Sequence, residues 1–167
     1  MAWQKLATKT LTSSSDTIQP DSAFTSKIFN TILTHIINTG GDFRTYYRLG
    51  NTTIDTGSNY SQRYNTNGGG DLTNTSLNGM MDWNTTESVQ SFNVAYIINI
   101  SAQEKLGMAW KIGSNTAGAG NAPNRLEVVG KWANTSNQFN ILNQTDAVDP
   151  KAGSADTDSN LTILGTD

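Results

Sequence analysis

The stretch SFNVAYIINISAQEKLGMAWKI, Ser91 to Ile112, decides the fold class. Phe92, Val94, Tyr96, Ile98 and Ile100 alternate with Ser91, Asn93, Ala95, Ile97 and Asn99, the period of two that belongs to a half-buried strand. After Ala102-Gln103-Glu104 the alternation resumes, with Leu106, Met108, Trp110 and Ile112 on one side and Lys105, Gly107, Ala109 and Lys111 on the other. Two such runs around a short polar turn predict a β-hairpin. The larger apolar set, including Phe92, Tyr96 and Trp110, is expected to face the core.

Working outward, Gly118, Gly120 and Pro123 break regular structure before a third strand, Arg125 to Trp132, whose Leu126, Val128, Gly130 and Trp132 form the inward set. Gln138 to Leu142 and Leu161 to Leu164 read as further strands around an Asp/Gly/Ser/Ala connection. Towards the N-terminus, Trp3 to Leu11 reads as a strand with Thr17 to Gln19 as its partner across a Ser-rich turn. Tyr46 to Leu49 and Asn59 to Tyr64 are strands around the turn at Asn51 to Gly57, and Asn65 to Gly79 is a Gly/Asn/Thr loop.

Phe24, Ile28, Phe29, Ile32, Leu33, Ile36 and Ile37 also fit an amphipathic helix. The richness of Lys27 to Asn38 in Ile and Thr favours a strand instead, because β-branched side chains suit a pleated surface. The expectation is an all-β antiparallel sandwich, jelly-roll-like, of about eight strands in a single domain over residues 1–167, with α+β as the alternative if 24–38 is a helix.

Composition restricts function. Only 15% of the 167 residues are charged, the net charge is −3, and the scattered Lys and Arg offer no footprint for nucleic acid. Mean hydropathy is −0.45, so the polarity rests on neutral Asn, Thr, Ser and Gln. No apolar run approaches the ~18 residues that span a bilayer, so no membrane partner is expected. The N-terminus lacks the pattern of an export signal, and the eight Asn-x-Ser/Thr triplets then follow from the Asn/Thr bias. With no cysteine, disulfides and thiolate chemistry are excluded.

His35 is the only histidine, which excludes a multi-histidine metal site, and no Gly-x-Ser-x-Gly elbow accompanies it. It reads as a packing residue. Glu127 shares a strand face with Arg125 and Lys131 and reads as a member of a charge row rather than as a catalytic acid. Asp156, Asp158 and Asn160 have the i, i+2, i+4 oxygen spacing of a calcium loop and are the candidate metal ligands. No EF-hand glycine or closing Glu completes them, and a solvated acidic loop is the favoured reading. Gly68-Gly69-Gly70 and Gly118-Ala119-Gly120 lack the Lys-Ser/Thr of a phosphate loop and read as turns. An aromatic face can cover the apolar face of a sugar ring, and Trp83, Tyr60 and Tyr64 are the candidate glycan-stacking residues. No catalytic residue, cofactor or enzymatic activity is expected.

Three stretches carry a resemblance: RLGNTTIDTGSNYSQRY at Arg48 to Tyr64, NTAGAGNAPNRLEVVGKWANTS at Asn115 to Ser136, and the terminal LTILGTD. Together they resemble the β-sandwich virion structural proteins of tailed phages and marine viruses, which serve as capsid decoration, fibre or tail components. The resemblance implies a virion location, a homo-oligomer with a trimer favoured, and contact with other virion proteins such as the major capsid protein. A capsid decoration or cement protein is the leading expectation. A carbohydrate- or receptor-binding head of a tail fibre, with a glycan as ligand, is the alternative.

Overall fold

The computed structural model describes residues 2–38, 43–81, 90–114, 116–147 and 153–167. These form an all-β antiparallel sandwich, with no helix among them. In chain order the strands are β1 (Gln4–Thr10), β2 (Thr17–Ile18), β3 (Phe29–Ile37), β4 (Thr45–Asn51), β5 (Thr53–Ile54), β6 (Tyr60–Thr66), β7 (Leu72–Leu77), β8 (Gln90–Ile98), β9 (Lys105–Ser114), β10 (Asn124–Trp132), β11 (Ile141–Asp146) and β12 (Asn160–Thr166). Eight lie in one sheet, ordered β1-β12-β3-β8-β9-β10-β6-β7, and four in a smaller sheet, ordered β2-β11-β4-β5. The described residues thus hold twelve strands where about eight are expected, two of them only two residues long.

The segment that fitted either class is strand β3, in the middle of the large sheet between β12 and β8. Its Ile32, Thr34 and Ile36 are buried, as β-branched side chains under a second sheet should be. Phe24, which completed the helical spacing, belongs to the preceding loop and meets Phe139 edge-on at 6.0 Å.

Three local expectations are corrected. β2 pairs with β11 and not with β1, the Thr17 and Thr145 hydroxyls lying 2.7 Å apart. β4 and β6 flank one turn yet sit in different sheets, the chain crossing over after β5. The stretch expected as loop contains β7, an edge strand on β6 with Leu72 opposite Tyr64 and Asn74 opposite Gln62. Most of β7 is exposed, so its sequence carries no alternation to reveal it.

The core lies between the sheets. Tyr47, Leu49, Phe139 and Leu142 contribute from the small-sheet side, with Met80 and Met81 from the segment whose backbone pairs Met80 with Tyr47. At its β8–β9 centre the large sheet answers with small residues: Ala95 of β8 and Ala109 of β9 are buried, and one cross-strand row runs Ile97, Gly107, Gly130, Gln62. A Cβ on Gly107 would stand 2.5 Å from the Met81 Cε and 2.9 Å from the Tyr96 carbonyl oxygen, and one on Gly130 would stand 3.3 Å from the Met80 Cβ. The paired methionines occupy the space those glycines leave, which is how an interior reaches close packing.

This packing reverses the expected orientation of the hairpin. β8 and β9 do pair in register from Gln90↔Ser114 to Ile98↔Leu106. Their buried side, however, is Ser91, Asn93, Ala95 and Ile97 with Lys105, Ala109 and Lys111, and their large apolar side chains point away from the second sheet. β10 has the expected phase, with Leu126, Val128 and Trp132 buried.

Candidate functional site

The outer face of the large sheet is apolar across β3, β8, β9 and β10, and no other strand of the described residues covers it. Registration across β8, β9 and β10 gives four rows: Phe92, Ile112, Arg125; Val94, Trp110, Glu127; Tyr96, Met108, Val129; and Ile98, Leu106, Lys131. Strand β3 extends them with His35, Leu33, Thr31 and Phe29 respectively. Nine of these side chains (Phe29, Phe92, Tyr96, Ile98, Leu106, Met108, Trp110, Ile112 and Val129) are each 42–54% exposed. The exposed area amounts to roughly 900 Å², above the 300–600 Å² of the largest apolar patch on an ordinary monomer.

The face is not uniform along the strands. A hollow of about 840 Å³ occupies the half floored by Tyr96, Ile98, Leu106, Met108 and Val129, walled by Trp3 on one side and by Arg63, Thr73 and Thr75 on the other. The opposite half carries Phe92, Trp110 and Ile112, which border smaller hollows, about 330 Å³ beside Phe92 and Ile112 and about 300 Å³ beside Trp110. Tyr96 and Trp110 meet edge to face, ring centroids 6.1 Å apart at 77°, so they make no flat platform.

Charge on this face lies at Arg63 of β6, opposite Val129, and along the β10 flank, where it is paired within the chain. The Lys131 ammonium lies 3.0 Å from both Glu104 carboxylate oxygens, and Arg125 Nε lies 3.8 Å from Glu127 Oε1. Glu127 therefore belongs to the charge row expected of it, with Trp110 opposite on β9.

The residues singled out from sequence lie elsewhere. Tyr60 and Tyr64 are 2% and 5% exposed and belong to the core, which corrects the expectation that they stack on a glycan. The Tyr60 ring is stacked on Trp132 with 14° between planes, and its hydroxyl accepts from the Leu49 amide at 3.0 Å. Burial, only partly offset by that backbone bond, pushes its pKa upward. Trp83 lies outside the described residues. Trp132 is buried as expected, whereas Trp110, expected in the core, is on the outer face.

Asp156, Asp158 and Asn160 are not gathered on a common point by hydrogen bonding. Asp156 accepts from the Ser14 hydroxyl at 3.1 Å, while Asn160 accepts from Thr162 at 3.0 Å and donates to Thr10 at 2.6 Å. Asp158 stands exposed in the turn before β12 with φ of 70°. Among the described residues no group of three or more His, Cys, Asp or Glu is placed to hold a metal ion. Both Gly-rich segments are turns, closed by Gly69 N–H to Thr66 and Asn121 N–H to Gly118. His35 sits on the outer face opposite Phe92 and Asn160. No helix of the described residues is long and apolar enough to cross a membrane.

No protein-family model matches the chain, and no curated protein matches it. Comparison with solved structures finds distant overlaps. Porphyranase B from Zobellia galactanivorans overlaps over 97% of this chain and 74% of its own, with TM-score 0.24 and 8% identity. A β-1,3-glucanase from Mycobacterium marinum covers 89% of this chain and 66% of its own, at 0.21 and 12%. The CBM2 module of the evolved Dit of Lactobacillus casei BL23 phage J-1 covers 98% and 79%, at 0.20 and 6%. Overlaps at these scores bear on neither the site nor the function of this chain.

The outer face was missed in the sequence because alternation shows that a strand has an apolar side without showing what that side meets. A readable signal exists: the opposite side of the hairpin is the one that carries Ala95, Gly107 and Ala109, small enough to accept a second sheet.

Proposed function

We propose that this chain is a non-enzymatic structural component of a phage virion, a capsid decoration or cement protein that assembles as a homo-oligomer on the particle exterior and contacts other virion proteins such as the major capsid protein. The supporting observation is the uncovered apolar face of the large sheet. A patch of that size in water favours association, and a coat built of repeated copies uses such association. The neutral Asn, Thr and Gln elsewhere can hydrogen-bond across contacts with little charge desolvation. Protein mass spectrometry of purified particles from a phage carrying this reading frame tests the proposal. Many copies per particle are expected, lost in a deletion strain, and absence from intact particles overturns it.

One observation favours a second reading, a receptor-binding head: Trp3 and Tyr96 border a hollow open to solvent. A glycan array that gives hits lost in Tyr96→Ala would support it. The apolar floor and the edge-on aromatic pair favour assembly over sugar stacking.

A further inference from the structure

The geometry points to a second copy of this chain as the occupant of the outer face, with two copies packed face to face about a two-fold axis that lies between the sheets and runs across the strands. The inference rests on the assembly reading above and names the surface and symmetry that assembly would use.

Area is the first argument. The roughly 900 Å² exposed by the nine apolar side chains matches the ~800 Å² that each partner contributes to a stable interface of standard size. Two sheets stacked about 10 Å apart would bury it as the faces of a sandwich are buried.

Charge is the second. Of the cations bordering the patch, Arg125 and Lys131 have carboxylates of the same chain beside them, Glu127 and Glu104, and Arg63 in the wall of the hollow adds a single positive charge. The border is close to self-neutral, so a like copy approaches without strong repulsion and a strongly charged partner finds no complementary field.

Shape is the third and fixes the symmetry. The large hollow, about 840 Å³, lies in the Leu106 half of the face, and Phe92, Trp110 and Ile112 stand in the other half among hollows of only about 300 and 330 Å³. A two-fold axis across the strands exchanges the halves, so that Phe92 and Trp110 of each copy enter the large hollow of its partner. An isologous contact needs this self-complementarity. Leu106 and Ile112 lie at opposite ends of the outer side of β9, six positions apart. In the proposed pair, Leu106 of one copy meets Ile112 of the other at both ends.

The experiment measures molar mass by light scattering from 1 to 100 µM for the wild type, Leu106→Glu, Ile112→Lys and the double variant. Both positions of change are exposed, and circular dichroism confirms that each variant is folded. The wild type is expected at twice the monomer mass. Each single variant weakens association about a hundredfold by setting a charge against an apolar side chain. The double variant recovers most of that loss, because each Glu then meets a Lys of the other copy. A monomeric wild type, single variants that remain assembled, or a double variant as weak as the singles would each overturn the pairing. So would a wild-type trimer, or a monomer whose Trp110 fluorescence shifts on neutral phospholipid vesicles or glycans instead. Particle composition decides the virion reading separately, so either result stands without the other.

Discussion

The Trp132 indole N–H donates to Asp55 Oδ2 at 2.7 Å, tying the end of β10 in the large sheet to the turn that leaves β5 in the small one. Partial burial raises the Asp55 carboxyl, but the Trp132 indole, the Gly57 amide and the Asn59 side chain together hold its pKa below the usual carboxylate value. A carboxylate so held stabilises the fold at any pH above its unfolded value of about 3.9, and the contribution is lost as pH falls through the lower folded value. Trp132→Phe is expected to cost about 2 kcal/mol at neutral pH through lost volume and an under-paired carboxylate. Asp55→Asn should flatten the fall in stability below about pH 4. Urea midpoints from pH 2.5 to 7 check both.

Close packing over Gly107 makes a second prediction. Gly107→Ala places a Cβ against the Met81 side chain and the Tyr96 carbonyl, and the backbone contact cannot yield by a rotamer change. A loss of about 1–3 kcal/mol is expected. Gly70→Ala, where the added Cβ meets nothing within 4 Å, should change stability by less than about 0.5 kcal/mol. Thermal melts of the two variants side by side separate overpacking from a general effect of losing glycine.

Strand positions were legible because period two survives in β8, β9 and β10, while β3 was legible from its Ile and Thr content. β7 was not, since an exposed edge strand imposes no pattern on its residues. Facing was the harder question. Hydrophobicity assigned Phe92, Tyr96 and Trp110 to the core, whereas volume governs the interior of this sandwich: the large side chains beneath the smaller sheet require Ala95, Gly107 and Ala109 opposite them. Lys105 is accommodated on the inner side because its ammonium reaches the Gln103 and Asn134 carbonyls at the sheet end. Tyr60 and Tyr64 misled in the opposite sense. Their sequence neighbours are polar, and only the pairing of β6 with β10, Tyr60 opposite Trp132 and Tyr64 opposite Val128, puts them inside.

Tyr60→Phe isolates the structural role of that ring. The hydroxyl accepts from the Leu49 amide and has the Leu49 and Asp55 carbonyls within 3.1 Å, so its removal leaves buried backbone groups short of a partner. A loss of about 1–2 kcal/mol is expected in chemical denaturation, with oligomeric mass unchanged because the residue lies on the inner side of the sheet.

Lys105 supplies the last prediction. Its side chain is enclosed, with Nζ 2.5 Å from the Gln103 carbonyl and 3.0 Å from that of Asn134, and desolvation lowers its pKa. Between the lowered folded value and the ordinary ~10.4, the unfolded chain holds a proton that the folded chain has released, so stability rises with pH across that window. Lys105→Met removes the titration together with two hydrogen bonds and is expected to lie within about 1 kcal/mol of the wild type at pH 7. Tyr47 and Tyr60, whose burial raises their pKa, act oppositely: they stabilise below about pH 10, and their contribution is lost as pH rises through their folded values. Because both proteins keep these tyrosines, the difference between their urea midpoints from pH 7 to 10.5 reads Lys105 alone. It should grow in favour of the wild type as pH rises, and a flat difference would show that the ammonium is as well solvated in the fold as in the unfolded chain.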